Sequence, residues 1–347
     1  MRNTIKNALA FARAYLKDKD IENPSLDAEV LLAECLGLTR ASLYANWERE
    51  INAREQDHFS GLVKRRGRGE PVAYLVGHKE FMGLKFTVNP HVLIPRPETE
   101  LLVEKALKIL QNKTDSPLVV DVGTGSGAIA VSIAKHNSNT RVFAIDKSVE
   151  ALNVAQVNGE NHGVNNRLFF RCGNLLEPLE SGPDTGVLQR APRRLAEGVL
   201  GLPGGVPDTG GDAAGHRGDA PYTFGGGPDT GMGGVRPGSI ELVVANLPYI
   251  PGDEIPALPR DVGFEPRIAL DGGPDGLALY GDLLVQSYKW LRRGGYLLAE
   301  IGADQGPKVF NLVEKFNVEN EPKRWFSQLL DDLAGRNRLL CVQKVYN

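Results

Sequence analysis

The chain has 347 residues, 41% of them hydrophobic and 24% charged, with a net charge of −3. That length accommodates two domains and a sizeable core, and the near-balanced charge excludes a protein whose whole surface is built to hold a polyanion. No apolar run approaches a membrane span, Met1-Arg2-Asn3-Thr4-Ile5-Lys6 lacks the apolar stretch of a signal peptide, and the three cysteines (Cys35, Cys172, Cys341) form no Cys-x-x-Cys pair, which together fit a reducing, cytoplasmic setting.

Residues 1–78 read as a helical domain. Asn23 is a candidate N-cap with Pro24 in the first helical position, Leu26, Val30, Leu31, Ala33, Leu36 and Leu38 supply an apolar face, and Gly37 is a natural stop. Lys64-Arg65-Arg66-Gly67-Arg68 reads as the solvated end of the last helix. Residues 79–95 alternate around a glycine turn (Phe81-Met82-Gly83-Leu84-Lys85-Phe86), which predicts a hairpin linking two domains. A second domain, 96–347, opens with Leu93-Ile94-Pro95-Arg96-Pro97-Glu98-Thr99-Glu100. Its two prolines fix the backbone, Thr99 is placed to cap a helix from about Glu100, and Arg96 and Glu98 are placed to line a site mouth.

From Pro117 onward the pattern alternates strand and helix. Leu118–Val122, Arg141–Ile145, Leu168–Arg171, Glu241–Ala245 and Tyr296–Ile301 are the expected strands of a parallel sheet covered by helices. Residues 181–238 interrupt the alternation. They are crowded with glycine and proline, repeat Pro-Asp-Thr-Gly at 183, 207 and 228, and hold too few apolar residues to offset the entropy of ordering, so they read as a disordered insertion.

The chemistry-bearing motifs sit at the ends of these strands. Val119-Val120-Asp121-Val122 runs into Gly123-Thr124-Gly125-Ser126-Gly127-Ala128 and then a helix, a turn that lets backbone approach a ligand and offers helix N–H groups. The spacing indicates a nucleoside cofactor and leaves NAD and S-adenosylmethionine both open. Asp146, closing the next strand, is placed to accept from ribose hydroxyls, its alternative role being a helix N-cap. Asn174, after the third strand, is placed either to contact an adenine or to make a turn. The strand Val243-Val244-Ala245 ends in Asn246-Leu247-Pro248-Tyr249. That ending offers an amide oxygen, backbone carbonyls beyond the ladder and an aromatic face, a set that can accept both hydrogens of a planar NH2 group and hold a poor nitrogen nucleophile in one orientation. No His or Lys within these motifs suggests a general base, and the six scattered histidines show no metal-ligand spacing.

Taken together the motifs resemble the HemK/PrmC-type glutamine methyltransferases that modify class I peptide-chain release factors. The resemblance spans nearly the whole chain outside the insertion. It rests on Asn23–Glu29, Glu70–Gly77, Ile94–Glu100, Asn246–Tyr249, Phe264-Glu265-Pro266-Arg267, Leu270–Gly276, Glu300-Ile301-Gly302 and Asp332–Arg338. Two positions depart from the family pattern, Leu247 in place of the usual second Pro and Asn174 in place of a frequent Asp. The form Asn-Leu-Pro-Tyr is also similar to that of ribosomal RNA adenine dimethyltransferases.

The resemblance implies a seven-stranded Rossmann-like class I methyltransferase sheet, parallel except for one strand, with Lys323–Leu330 and Arg338–Lys344 as a C-terminal hairpin. It implies S-adenosylmethionine rather than NAD, held by Gly123, Thr124, Gly125, Ser126, Gly127, Asp146, Asn174 and Asn246, and no metal. The substrate glutamine would meet Asn246, Leu247, Pro248 and Tyr249, with Arg96 and Glu98 nearby. The implied partner is a class I release factor, modified in its Gly-Gly-Gln motif by a monomeric enzyme, with no membrane and no stable nucleic-acid partner. The alternatives are a ribosomal-protein glutamine or an RNA adenine as substrate.

Overall fold

The computed structural model describes residues 3–113, 115–180, 235–322 and 324–345. Its N-terminal part is helical, with α1 (Ile5–Asp18), α2 (Pro24–Leu36), α3 (Arg40–Ala45), α4 (Ala53–Gly67) and α5 (Val72–Val76). Thr4 and Thr39 cap α1 and α3 through their side chains, and Asn52 and Glu55 close a reciprocal capping box on α4. Pro24 does open α2, but Asn23 makes no side-chain cap bond there; Gly37 ends the helix in the left-handed conformation at φ 62°. Ile5, Leu9, Leu16, Leu31, Leu32, Leu43 and Phe59 close one core of their own.

The basic run at the end of α4 departs from the solvated reading. Arg66 is buried: its Nε donates to Asp27 Oδ2 at 2.7 Å and its Nη1 to the carbonyls of Gly69 and Glu70 at 3.2 Å each. The guanidinium turns inward because it satisfies a buried carboxylate and two carbonyls left beyond the helix end. Lys64, Arg65 and Arg68 remain exposed.

The expected hairpin is shorter than 79–95 and is no free linker. β1 (His78–Phe81) and β2 (Leu84–Thr87) pair antiparallel around Met82 and Gly83, which both take positive φ (51° and 69°), the signature of a tight two-residue turn. Phe81 and Phe86 are buried with Leu102, Val103 and Ala106 of α6 (Glu100–Leu110), so the hairpin belongs to the core of the second domain. Asn158 secures it. Its Oδ1 accepts from Thr87 N at 2.7 Å, and its Nδ2 donates to the carbonyls of Thr87 and Ser126 at 3.0 and 2.8 Å.

The sheet elements follow as β3 (Leu118–Val122), α7 (Ala128–His136), β4 (Arg141–Asp146), α8 (Val149–Asn161), β5 (Leu168–Cys172), β6 (Ile240–Ala245), α9 (Tyr280–Trp290), β7 (Leu291–Glu300), α10 (Gly306–Glu319), β8 (Trp325–Asp331) and β9 (Asn337–Lys344). The 7-stranded order is β5-β4-β3-β6-β7-β9-β8, with β9 antiparallel to both neighbours and the other pairs parallel. β7 begins at Leu291 rather than Tyr296. Its ladder shifts register between Ile240 and Leu242, a bulge that Gly294 at φ 74° accommodates.

Most of the proposed insertion, residues 181–234, lies outside the described residues. Its downstream boundary falls earlier than 238: Val235 packs on the core and Gly238 N donates to Lys289 O at 3.1 Å.

The strand order reverses between β3 and β6, which makes their carboxyl ends a topological switch point. Val122 pairs with Ala245 and Ala245 with Ala299, so Gly123, Asn246 and Glu300 emerge side by side from three adjacent strand ends.

Candidate active site

A cavity of about 630 Å³ opens at this switch point, within the range of about 300–1,000 Å³ usual for small-molecule sites. The turn after β3 forms one wall through Gly123, Thr124, Gly125 and Ser126. Two glycines are required sterically. A Cβ on Gly123 (φ 72°) would meet Leu247 Cδ2 at 3.1 Å, and one on Gly127 (φ 77°) would lie 2.9 Å from Ala155 Cβ. Gly127 does not itself line the cavity; it starts α7. Beneath the turn, Asp121 Oδ2 accepts from Thr124 Oγ1 at 2.7 Å and from Ala130 N at 3.1 Å, anchoring the loop to its helix. Complete burial pushes that carboxyl up to about 7 against those two hydrogen bonds.

Asp146, at the end of β4, lines the cavity, with Oδ2 accepting from Gly125 N at 2.8 Å and Oδ1 from Ser148 N at 2.9 Å. It is not the cap of α8; the Ser148 side chain fills that role. Burial raises its carboxyl, while the backbone N–H groups of Ser148, Gly125 and Lys147 pull it back. Asn174 also lines the cavity. Its Nδ2 donates to Glu177 Oε1 at 2.7 Å, and its buried Oδ1 has no protein partner.

Asn246, Leu247 and Pro248 form the opposite wall. Asn246 Nδ2 donates to Thr99 Oγ1 at 3.1 Å, which leaves Oδ1 as the end of the amide available to a ligand. Thr99 therefore differs from the expected cap. It takes helical angles at the start of α6 without a side-chain cap bond, and its hydroxyl accepts from Asn246 instead. The Leu247 side chain is buried in the sheet core. Tyr249 does not line the cavity: its hydroxyl points to Glu300 Oε1 at 3.4 Å and its carbonyl accepts from Gln305 Nε2 at 2.8 Å.

Arg96 lines the cavity and pairs with Glu265, which also accepts from Ile94 N at 3.0 Å, tying the segment before α6 to the loop after β6. Glu98 is exposed and outside the lining. His91 and Lys147, which lie outside the chemistry-bearing motifs, also line the cavity. Both stand at the Asp146 end, His91 near Glu150 of α8. The sequence reading assigned no role to Asp121, Glu265 or Glu300, although all three lie inside the quoted motifs; it also missed His91 and Lys147. Their signal was a carboxylate among apolar neighbours, as in Val120-Asp121-Val122 and Ala299-Glu300-Ile301.

Residues 7–77 match the PrmC N-terminal domain and residues 113–185 a methyltransferase domain. A release factor glutamine methyltransferase from Moorella thermoacetica is 38% identical over 336 residues, covering 96% of this chain and 96% of that one. The chain belongs to the release factor glutamine methyltransferase family. Relatives of the same name from Geobacter sulfurreducens (34% identical, 90% of this chain and 89% of that one) and Rhodopirellula baltica (33%, 98% and 96%) match over nearly the same extent. The family likeness carried by the motifs is thereby confirmed, and the chain is a methyltransferase with the class I sheet. Its Asn-Leu-Pro-Tyr is a variant within a glutamine methyltransferase family, which sets aside the likeness to RNA adenine dimethyltransferases. Among the described residues, no helix is long and apolar enough to cross a membrane.

Proposed function

We propose that the chain transfers a methyl group from S-adenosylmethionine to the side-chain amide nitrogen of a glutamine in class I peptide-chain release factors. The observation that carries this reading is the orientation of Asn246: Thr99 holds its Nδ2, so its Oδ1 is presented as an acceptor beside the glycine turn.

The residues present fit the cofactor. Asp146 supplies an acceptor for ribose hydroxyls, the Gly123–Ser126 turn allows close backbone approach, and the partnerless Asn174 Oδ1 suits an exocyclic amine. When bound, that cofactor supplies an electrophilic methyl on a sulfonium. A glutamine amide nitrogen is a weak nucleophile because its lone pair is delocalised into the carbonyl. Asn246 Oδ1 and the Leu247 carbonyl accept its two N–H hydrogens, fix its plane and stabilise positive charge as it builds on nitrogen; the N–CH3 bond would form as the sulfonium C–S bond breaks to leave a neutral thioether, and one of the two N–H protons would then pass to water. Arg96 and Glu265 brace the two segments that frame the substrate side.

The test is methyl transfer from labelled cofactor to a purified release factor, read by mass spectrometry. Label should fall on one glutamine and vanish when that glutamine is changed to glutamate, which has no N–H pair. Persistent label on the glutamate variant, or label on a ribosomal protein or ribosomal RNA in its place, overturns the assignment.

A further inference from the structure

The exposed residues in the cavity lining fall into two groups. His91 and Lys147 stand at the Asp146 end, whereas Arg267, Ile268 and Ala278 stand on the loop that follows β6. That loop runs beside the Asn246–Tyr249 segment. Ile250 N donates to Leu270 O at 3.1 Å, Gly272 N donates to Ile250 O at 2.9 Å, and a Cβ on Gly272 would lie 2.7 Å from Pro248 O. Ile268 therefore marks the cavity mouth on the side of Asn246, away from the Asp146 end.

Ile268 is 59% exposed, and Phe264, four positions earlier, is 41% exposed. Single exposed apolar residues are ordinary on a protein surface. These two differ in their place and in how firmly they are held. Glu265 between them is buried and accepts from Ile94 N at 3.0 Å and from Arg96. Ala269 N donates to Pro266 O and Asp271 N to Arg267 O, each at 2.9 Å, and Arg267 pairs with Asp271 at 3.2 Å. The other end of the segment rests on the helical domain. Arg260 Nη2 donates to Arg68 O at 3.3 Å, Arg66 Nη2 stands 3.8 Å from Asp261 Oδ2, and a Cβ on Gly69 would meet the Phe264 ring at 3.4 Å. Residues 260–268 thus form a fixed strap from the end of α4 to the cavity mouth. A side chain presented on such a strap is pre-organised, so a partner that covers it does not have to order it first.

A glutamine enters the cavity with its side chain alone. The backbone that carries it, and the residues on either side, stay outside on the rim. We propose that Ile268 is a substrate-docking residue that packs against the release-factor loop beside the target glutamine, and that Phe264 extends the same apolar contact toward the helical domain. The inference rests on the reading of the substrate as a glutamine of a release factor. At the mouth itself, isoleucine offers no flat face on which a base could stack and no donor for a phosphate, so the rim suits a protein loop rather than RNA. The contact is made outside the reacting centre and is the same before and during transfer. It therefore contributes uniform binding, which sets KM for the protein substrate and leaves kcat alone.

The test uses the full chain and purified release factor. Ile268 is exposed, so its variants keep the fold. Ile268→Ser should raise KM for release factor about tenfold, with kcat and S-adenosylmethionine affinity each within about twofold of wild type. Ile268→Val keeps most of the apolar surface and should bring KM back to within about threefold of wild type. Phe264→Ser should raise KM in the same way. Docking is also read without any transfer. In protein labelled with 13C at the isoleucine δ1 methyls, the Ile268 resonance is assigned by its loss in Ile268→Val, and it should shift as release factor is added. Unchanged KM in Ile268→Ser, a loss confined to kcat or to cofactor affinity, or an Ile268 methyl that does not move at saturating release factor overturns the docking role and leaves the substrate assignment standing. A wild type that transfers no methyl to release factor overturns the substrate assignment, and the docking role with it.

Discussion

Asn246 and Thr99, 147 positions apart, meet through a single hydrogen bond from Nδ2 to Oγ1 at 3.1 Å. The bond joins the end of β6 to the first turn of α6 and engages one N–H of the amide, while Oδ1 takes no protein hydrogen bond among the described residues. Thr99→Val should remove that constraint and lower kcat about tenfold, the loss expected for one hydrogen bond. Thr99→Ser keeps the hydroxyl and should stay within about threefold of wild type. Asn246→Ala removes the acceptor itself and should lower kcat by about 100- to 1,000-fold with cofactor affinity little changed. Equal kcat in the valine and serine variants would show that the bond does not orient Asn246.

Asp146 accepts one N–H from the glycine turn and one from the start of α8. Its loss would remove both the carboxylate offered to ribose hydroxyls and the acceptor that holds Gly125 in place. Asp146→Ala should weaken S-adenosylmethionine binding by about 1.5–3 kcal/mol. Calorimetry is the measurement, and unchanged affinity would remove Asp146 from the cofactor site.

Leu247 has two separate roles. Its backbone carbonyl is the proposed second acceptor, and its side chain, 4% exposed, packs against Gly123 and the sheet core. Leu247→Pro restores the usual family residue and keeps the carbonyl, so kcat measured well below melting should be similar to or above wild type. The smaller ring fills less of the buried site, so stability should fall by about 1–2 kcal/mol. A large loss of kcat in folded protein would mean that the position does more than present a carbonyl.

The fold was largely legible because its signals are local. The strand-turn-helix at Val119–Ala128, the period of α2 and the Met82-Gly83 turn each follow from residues within a few positions of one another. The site was legible only where a motif ends a strand, as at Gly123, Asp146 and Asn246. The second layer was not. Thr99 looked like a cap because Thr before a helix usually is one, yet its hydroxyl is engaged by Asn246, 147 positions away. Arg66 looked solvated for the same reason, since nothing near it in sequence announces Asp27. The motif did not announce that the Tyr249 hydroxyl is held by Glu300 and its carbonyl by Gln305. In each case a long-range hydrogen bond overrode a short-range preference.

The chain on either side of residues 181–234 is anchored to the second domain. Leu179 and Val235 pack on the sheet core, and Glu180 Oε1 accepts from Lys289 Nζ at 2.6 Å. A short Gly-Ser bridge from Glu180 to Val235 should therefore leave the melting temperature unchanged or a few degrees higher, since loop-closure entropy varies slowly with length. Loss of soluble folded protein on that replacement would show that the segment is structural.

Asp121 makes the fold sensitive to pH in a window set by its burial. It is fully buried, its Oδ1 has no partner, and its carboxyl is raised from 3.8 to about 7. Because the folded state favours the protonated form, the stability from this group is fully present below the unfolded value. It is lost as pH rises through the folded value, by up to about 4 kcal/mol for a shift of this size. Burial raises Glu300 to about 7 as well, so the two carboxyls act in the same direction. The wild type should therefore lose melting temperature between about pH 5 and pH 8. Asp121→Asn stays neutral throughout but removes a carboxylate oxygen or places an NH2 group at the partnerless Oδ1 position, a defect of about 1–3 kcal/mol. It should melt below wild type at pH 5 and show a visibly smaller decline toward pH 8. Parallel melting curves for the two proteins across that window would mean that Asp121 is already ionised in the fold, held by contacts stronger than Thr124 and the Ala130 N–H.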